Sequence, residues 1–213
     1  MLDRGADVNF VELGGPTGSN GHTVLHAAMI AGYVDIVHLL LDHNECLPDK
    51  TDWYSQSPFC YACALGRLEI VRLLLETGKV KIDGRLTVDP EFYRSSYRTM
   101  TLLVYACIEG HFAVVQYLLQ EGQSRLVNEE ILGRAIQCDC NAAVNFLLSI
   151  GTLQITTCSP VSKALCNGRT AIAKSILTYM CNAKLFVNRD DRPLKNCMQL
   201  ARERGWDEVL DAI

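Results

Sequence analysis

The 213-residue chain has no run of about 18 consecutive apolar residues, which a membrane-spanning helix would need. Its first residues, MLDRGADVNF, lack the apolar core of a secretory signal. Lysine and arginine together number 20 against 24 acidic residues, so the basic excess typical of nucleic-acid binders is missing too. We therefore expect a protein of a reducing compartment, cytoplasmic or nuclear, that neither inserts into membranes nor binds nucleic acid.

Motifs for catalysis and for cofactor binding are also missing. Cys60 and Cys63 form the one C-x-x-C pair among ten cysteines, whereas a zinc finger or ribbon needs a second ligand pair at a defined spacing. Neither G-x-x-x-x-G-K-[ST] nor G-x-G-x-x-G occurs, and no Ser/His/Asp or Cys/His set has a specified spacing. We predict no enzymatic activity, no cofactor and no bound metal.

What the chain does contain is an internal repeat. Three segments align without a gap: TVLHAAMIAGYVDIVHLLLDHN from Thr23, SPFCYACALGRLEIVRLLLETG from Ser57 and TLLVYACIEGHFAVVQYLLQEG from Thr101. Each has small residues, then a glycine, then a branched pair and a leucine run. The pattern predicts two short antiparallel helices, of which the first ends at the glycine. Because neither helix buries its apolar face alone, we expect the repeats to stack.

These segments resemble the ankyrin repeat, whose pattern includes T-P-L-H-x-A-A, a glycine, V-V-x-x-L-L-L and G-A-D-V-N. The closest match is GHTVLHAAMIAGYVDIVHLLL, and the opening LDRGADVN looks like the tail of another copy. Weaker copies begin near residues 131, 159 and 197. The resemblance implies an all-α fold, an ankyrin-repeat solenoid of stacked helix-turn-helix units with projecting β-hairpin loops.

The resemblance also implies one array over residues 1–213. It divides into a remnant at 1–9, five complete repeats at 18–50, 52–83, 96–124, 125–153 and 154–188, a shortened terminal repeat at 191–213, and an inserted loop at 84–98. Two explanations of the remnant stay open: either the chain is part of a longer array, or the tail folds back as a cap. In the first case, one face of residues 21–44 lacks a packing layer.

In this register the cysteines and histidines take structural positions. Cys60 replaces the histidine of T-P-L-H, and Cys63 and Cys107 take an alanine slot that faces the neighbouring repeat. Because cysteine packs as a small hydrophobe, we predict buried thiols. His26 fills the T-x-L-H slot, where the family's imidazole braces the turn through backbone hydrogen bonds. A thiol or metal site remains an alternative for one C-x-C pair, Cys138 and Cys140.

Ankyrin arrays usually bind proteins on a concave groove of hairpin tips and inner helices, and the resemblance implies the same here. Trp and Tyr are enriched in interface hot spots, so Trp53 and Tyr54 mark a tip contact, unless Trp53 folds back on the helix below. The inserted loop is either a further contact or a tolerated insertion. Positions expected to line the groove include Ala27, Ile30, Ala31 and Ala64. The predicted partner-binding residues are Trp53, Tyr54, Tyr61, Leu65, Tyr93, Tyr97, Arg98, Tyr105, Ile108 and Glu109.

We therefore predict a non-enzymatic scaffold, a monomer or part of a longer chain, that binds a partner protein or peptide in this groove. The alternative is a substrate-recruiting ankyrin module of a larger signalling, ubiquitin-ligase or effector protein.

Overall fold

The computed structural model describes residues 6–13, 20–81, 85–87, 99–121, 129–151, 155, 159–183, 192–203 and 205–206. These described residues form eleven helices and four short strands. The contacts divide the chain into two compact units, Met1–Tyr117 and Leu118–Ile213. None of the described helices is both long and apolar enough to cross a bilayer.

The first unit consists of successive helix pairs with extended segments before them. Its elements are β1 (Val11–Leu13), β2 (Asn20–Thr23), α1 (Val24–Ala31), α2 (Val34–Leu41), α3 (Pro58–Ala64), α4 (Leu68–Glu76), β3 (Arg85–Thr87), β4 (Thr99–Thr101), α5 (Leu102–Ile108) and the first residues of α6 (Phe112–Gln120). Strands β1 and β2 pair antiparallel, and so do β3 and β4. Helix α3 packs between α1 and α5, and α2 packs against α4.

The second unit repeats the same arrangement. Its further elements are α7 (Glu129–Gln137), α8 (Asn141–Ile150), α9 (Ser159–Cys166), α10 (Thr170–Asn182) and α11 (Arg192–Glu203). Helix α9 contacts α7, α10 and α11, and α8 packs against both α7 and α10. We call the first helix of each pair the inner helix and the second the outer helix. Within each unit, the inner helices α1, α3, α7 and α9 each lie against their own outer helix and against the next inner helix.

Most helices are too short to be stable alone, because an isolated helix of fewer than about 12 residues is marginal in water. Thr23 caps α1, where its hydroxyl accepts the backbone N–H of His26 at 3.4 Å. Burial between neighbours supplies the remaining stability. One slot of the inner helix is fully buried in α1, α3 and α5, where Met29, Cys63 and Cys107 occupy it at 0% exposure.

The turn after each inner helix needs left-handed backbone. Gly32, Gly66 and Gly110 have φ values of 78°, 67° and 82°, a region that costs other residues about 1–2 kcal/mol. Asp139 replaces the glycine in one copy of the second unit and still adopts a φ of 57°. Aspartate tolerates this region better than most residues, so the turn survives the replacement.

Candidate functional site

The tip before α3 is a tight turn built around Asp52. The backbone N–H of Asp52 donates to the carbonyl of Gln56 at 2.9 Å. Its carboxylate oxygen Oδ1 accepts the N–H groups of Tyr54 at 2.9 Å and of Gln56 at 2.8 Å. A carboxylate that takes two turn amides fixes the backbone between them. The side chains of Trp53 and Tyr54 are left 60% and 53% exposed.

The side chain of Trp53 contacts the preceding hairpin. A β-carbon placed on Gly21, in strand β2, would come within 2.5 Å of the indole atom Cδ1. The indole therefore rests on the bare backbone of Gly21, and most of its surface faces solvent. Neither sequence-based alternative included this contact between two loops 32 residues apart in sequence.

A hydrogen-bonded cluster that includes Tyr61, a predicted partner contact, lies beneath the tip. The Tyr61 hydroxyl donates to Asp52 Oδ2 at 2.7 Å, and the Asp52 side chain is fully buried. Because that proton is committed to the carboxylate, the contact of 3.1 Å between His22 Nε2 and the Tyr61 oxygen has the imidazole N–H as its donor. His22 also stacks on His26, with 5.3 Å between the ring centroids.

His26 braces the next repeat from this cluster. Its Nε2 lies 3.1 Å from the carbonyl oxygen of Gln56, and its Nδ1 lies 3.1 Å from the N–H of Thr23. A carbonyl accepts and an amide N–H donates, so the ring is neutral with its proton on Nε2. This geometry confirms the structural role predicted for His26.

Burial shifts the pKa values of this cluster. Desolvation lowers the pKa of His26 from 6.5, although the hydrogen bond to the Gln56 carbonyl opposes the shift. Burial, and then the hydrogen bond to Asp52, raises the pKa of Tyr61. This site therefore favours the neutral forms of both His26 and Tyr61.

The inner-helix positions predicted to line the groove are solvent-accessible to different degrees. Helix α1 exposes Ala27, Ile30 and Ala31, and Leu65 directly after α3 is exposed as well. Tyr61, Ala64, Tyr105 and Ile108 are half-buried, and Glu109 is exposed. Burial raises the pKa of Tyr105. Apart from Glu109, these positions carry no charged side chain.

The remaining predicted contacts, Tyr93, Tyr97 and Arg98, lie outside the described residues. The described ends of their loop are β3 and β4, which pair with Leu86 opposite Met100.

The C-x-x-C pair is part of the core. Cys60 is 2% exposed and Cys63 is 0% exposed, as predicted from the repeat register. The Sγ of Cys60 lies 3.5 Å from the hydroxyl of Ser57, in the slot where His26 contacts Thr23. Burial raises the pKa of both thiols, which disfavours the thiolate needed for nucleophilic or metal chemistry.

Cys138 and Cys140 flank the turn between α7 and α8 and are half-buried. Within the part of the chain that the structure describes, no group of three or more His, Cys, Asp or Glu side chains has a geometry that would hold a metal ion.

Sequence reasoning missed a contact that recurs between neighbouring repeats. The guanidinium carbon of Arg67 would lie 2.9 Å from a β-carbon on Gly32, and the ring of His111 would overlap a β-carbon on Gly66. In the second unit, Arg169 instead forms an ion pair with Asp139 at 2.5 Å. The repeat register could have indicated this contact, because a long side chain directly follows the turn glycine in each of these repeats. That side chain reaches back to the turn of the preceding repeat.

Exposed apolar surface is unevenly distributed. The ten large hydrophobic side chains that the described residues expose all lie between Phe10 and Leu65. Described residues after Leu65 expose charged, polar or small side chains instead. The exposed large apolar side chains of the described residues are therefore concentrated in the first two helix pairs and the loops beside them.

Helix pairs of this geometry, with left-handed turns and projecting hairpins, define an ankyrin-type repeat protein. A family model described as ankyrin repeats (3 copies) matches residues 1–85, and a second, described as ankyrin repeats (many copies), matches residues 59–119. Together they span more than half of the chain, which therefore belongs to the ankyrin-repeat family. The predicted all-α ankyrin fold with projecting hairpins is confirmed.

Similar proteins include plant ubiquitin ligases. XBAT31 of Arabidopsis thaliana, a putative E3 ubiquitin-protein ligase, is 34% identical over 103 residues, which is 48% of this chain and 20% of the ligase. The E3 ubiquitin-protein ligase XBAT33 of the same plant is 35% identical over 102 residues, 47% of this chain and 18% of the ligase. XBOS32 of Oryza sativa subsp. japonica, a probable E3 ubiquitin-protein ligase, is 36% identical over the same length, with the same coverage. The match thus spans about a fifth of these curated relatives.

The crystal structure of the human ASB11 ankyrin repeat domain aligns with a TM-score of 0.60 and 20% identity, over 90% of this chain and 78% of that one. At this identity the likeness concerns the fold alone. Ankyrin repeats are a protein-interaction module and generally have no enzymatic activity.

Proposed function

We propose that this chain is a non-enzymatic scaffold that binds an apolar segment of a partner protein. The binding surface would be the tip-groove surface, which we define as Trp53, Tyr54, Leu65, Ile30 and Ala27. The observation that carries the proposal is the exposure of these apolar side chains on one tip and on neighbouring inner helices. Their rigid supports keep the ordering cost of binding low.

The chemistry of this surface favours an apolar ligand. Tryptophan and tyrosine supply large contact areas with few rotatable bonds. Glu109 is the charged side chain among the predicted inner-helix contacts, so we expect binding that depends weakly on salt. Tyr93, Tyr97 and Arg98 stay predicted contacts from the inserted loop, and Tyr105 and Ile108 extend the surface along α5.

A peptide library displayed on phage tests the proposal. Peptides selected on the wild-type chain should be rich in apolar residues, and Leu65→Glu or the double variant Trp53→Ala/Tyr54→Ala should weaken their binding at least about tenfold. Leu39→Glu is the matched control, because it makes the same change at an exposed leucine of the outer helix α2.

Equal affinity for the Leu65→Glu and Leu39→Glu variants would contradict the proposed surface. A selection that enriches acidic peptides with steeply salt-dependent binding would contradict the proposed chemistry.

A second candidate function is substrate recruitment within a larger ubiquitin ligase. It is favoured by the three similar plant ligases, of which this chain matches about a fifth. The coding sequence that contains this chain distinguishes the candidates. A catalytic domain in the same reading frame would support recruitment, and its absence from the full transcript would favour the independent scaffold.

A further inference from the structure

The tip that carries Trp53 and Tyr54 is held from below by groups of two repeats. Asp52 Oδ1 binds the turn amides, while Asp52 Oδ2 accepts the hydroxyl proton of Tyr61 from α3. His22, from strand β2 of the preceding repeat, approaches the same oxygens, at 3.1 Å from the Tyr61 hydroxyl and 3.6 Å from Asp52 Oδ2. The turn, the inner helix and the preceding hairpin therefore meet at one carboxylate.

The Tyr61 hydroxyl is fully engaged in this arrangement. It donates a hydrogen bond to Asp52 and accepts one from the N–H of His22, so both of these hydrogen bonds are made within the protein. The ring meets the imidazoles of His22 and His26 edge-on, with centroids 5.2 Å and 5.7 Å away. A side chain packed and bonded in this way is suited to hold a neighbouring element in place.

Trp53 depends on the same support. Its indole rests on Gly21, next to His22 in β2, so a tip that shifts relative to β2 would lift the indole off the glycine. A second inter-repeat bond, from His26 Nε2 to the carbonyl of Gln56, closes the other end of the turn. Both ends of the turn that carries Trp53 are therefore bonded to groups outside it.

We propose that Tyr61, with His22 and Asp52, is a positioning residue that sets the Trp53–Tyr54 tip in its binding conformation, rather than a residue that contacts the partner. This inference rests on the proposed tip-groove surface. It predicts that affinity depends on an atom that the partner does not touch, because a loosened tip must be ordered again upon binding.

Tyr61→Phe tests this inference because it removes one hydroxyl and keeps the ring. Amide hydrogen exchange at Tyr54 and Gln56 should become on the order of tenfold faster, as expected for the loss of a hydrogen bond to a buried carboxylate. The ring-current shift that the Trp53 indole imposes on the Gly21 Hα should shrink in the NMR spectrum. Phage-selected peptides should bind the variant about fivefold more weakly.

Two comparisons separate positioning from a general loss of stability. Tyr105→Phe is the matched control, since it removes the same atom from the same slot one repeat later and should leave the tip signals unchanged. Asp52→Asn retains an acceptor for the turn amides but replaces the acceptor of the Tyr61 proton with an amide N–H. It should therefore loosen the tip about as much as Tyr61→Phe does, and less than Asp52→Ala does.

The outcomes distinguish this inference from the proposed function. If Tyr61→Phe weakens peptide binding while exchange and the Gly21 shift stay as in the wild type, Tyr61 is a contact residue and the positioning role is wrong. The role is also wrong if the tip loosens and affinity does not change. If the wild-type chain selects no peptide, the proposed function fails, and the tip signals alone decide whether Tyr61 holds the turn.

Discussion

The first and second helix pairs share one sequence register but differ in what covers them. Ile70 of α4 is 1% exposed, whereas Ile36, the equivalent residue of α2, is 43% exposed. Leu39 is likewise exposed, while its equivalent Leu73 is half-buried. Helices α1 and α2 pack against the second pair on one side. The same residue type in the same slot is therefore core or surface according to its neighbours, as expected for a stacked repeat.

The slot that follows the turn shows the same difference between the two pairs. Tyr33 occupies the slot of Arg67 and His111, which lie on the turn glycines of preceding repeats, and Tyr33 is exposed. On the opposite side, Gly32 is covered by Arg67 as Gly66 is covered by His111. The first helix pair is therefore covered on the side that faces the second pair and exposed on the opposite side.

The largest expected effect comes from truncating the two equivalent isoleucines. Ile70→Ala should lower the free energy of unfolding by about 3 kcal/mol, because it opens a cavity in a closed interface. Ile36→Ala should cost less than about 1 kcal/mol, because water already reaches that side chain. Urea unfolding followed by circular dichroism measures both values. Equal losses would mean that the first pair is covered in solution after all.

A smaller effect is expected at His26, whose imidazole joins the two pairs. His26→Ala should cost about 2 kcal/mol near neutral pH, because it leaves the Gln56 carbonyl and the Thr23 N–H without this partner. His38→Ala is the control, since His38 is an exposed histidine that pairs with Asp42 on the surface of α2.

The same histidine sets the direction of a pH dependence. Because desolvation lowers its pKa below 6.5, the unfolded chain binds the proton more readily than the folded one. The stabilisation is complete above about pH 6.5 and is lost as the pH falls below it. The ionisable groups around the ring are His22, Asp52 and Tyr61. Urea titrations at several pH values should show that the free energy of unfolding falls less with acidification in His26→Ala than in the wild type. An unchanged dependence of that free energy on pH would contradict this assignment.

The smallest expected difference in stability is between variants of the turn glycines. It tests whether the side of the first helix pair that faces the second pair is packed as the later interfaces are. Gly66→Ala should cost about 2 kcal/mol, since the position needs positive φ and the new β-carbon would overlap the ring of His111. Gly32→Ala should cost somewhat less, because the guanidinium end of Arg67 can move aside. Gly78→Ala should cost about 1 kcal/mol, because its φ is 63° but its surroundings are empty. Thermal unfolding of the three variants ranks them. A Gly32→Ala variant no worse than Gly78→Ala would show that the Arg67 contact is dispensable.

Much of the fold followed from local pattern. The glycine slot, the leucine run and the small residues predicted helix pairs and left-handed turns, and they reassigned Cys60 and Cys63 from a candidate site to the core. These features were predictable because each depends on residues close together in sequence. The candidate site was less predictable: Trp53 and Tyr54 were recognised by type and tip position, but Gly21 and His22 were not, because their contacts lie in the next repeat.

By itself, the sequence determined the repeat: where each helix begins and turns, which slot of the inner helix faces the neighbouring repeat, and which residues stand at the tips. Tertiary structure decided which of the equivalent slots are covered, so that Ile70 is core and Ile36 is surface. It also decided that Tyr61 turns its hydroxyl to Asp52 and that Trp53 rests on Gly21. The physical reason is that burial and hydrogen bonding between repeats depend on which neighbour stacks against a slot, and residues in equivalent slots carry the same local pattern whatever their neighbours are.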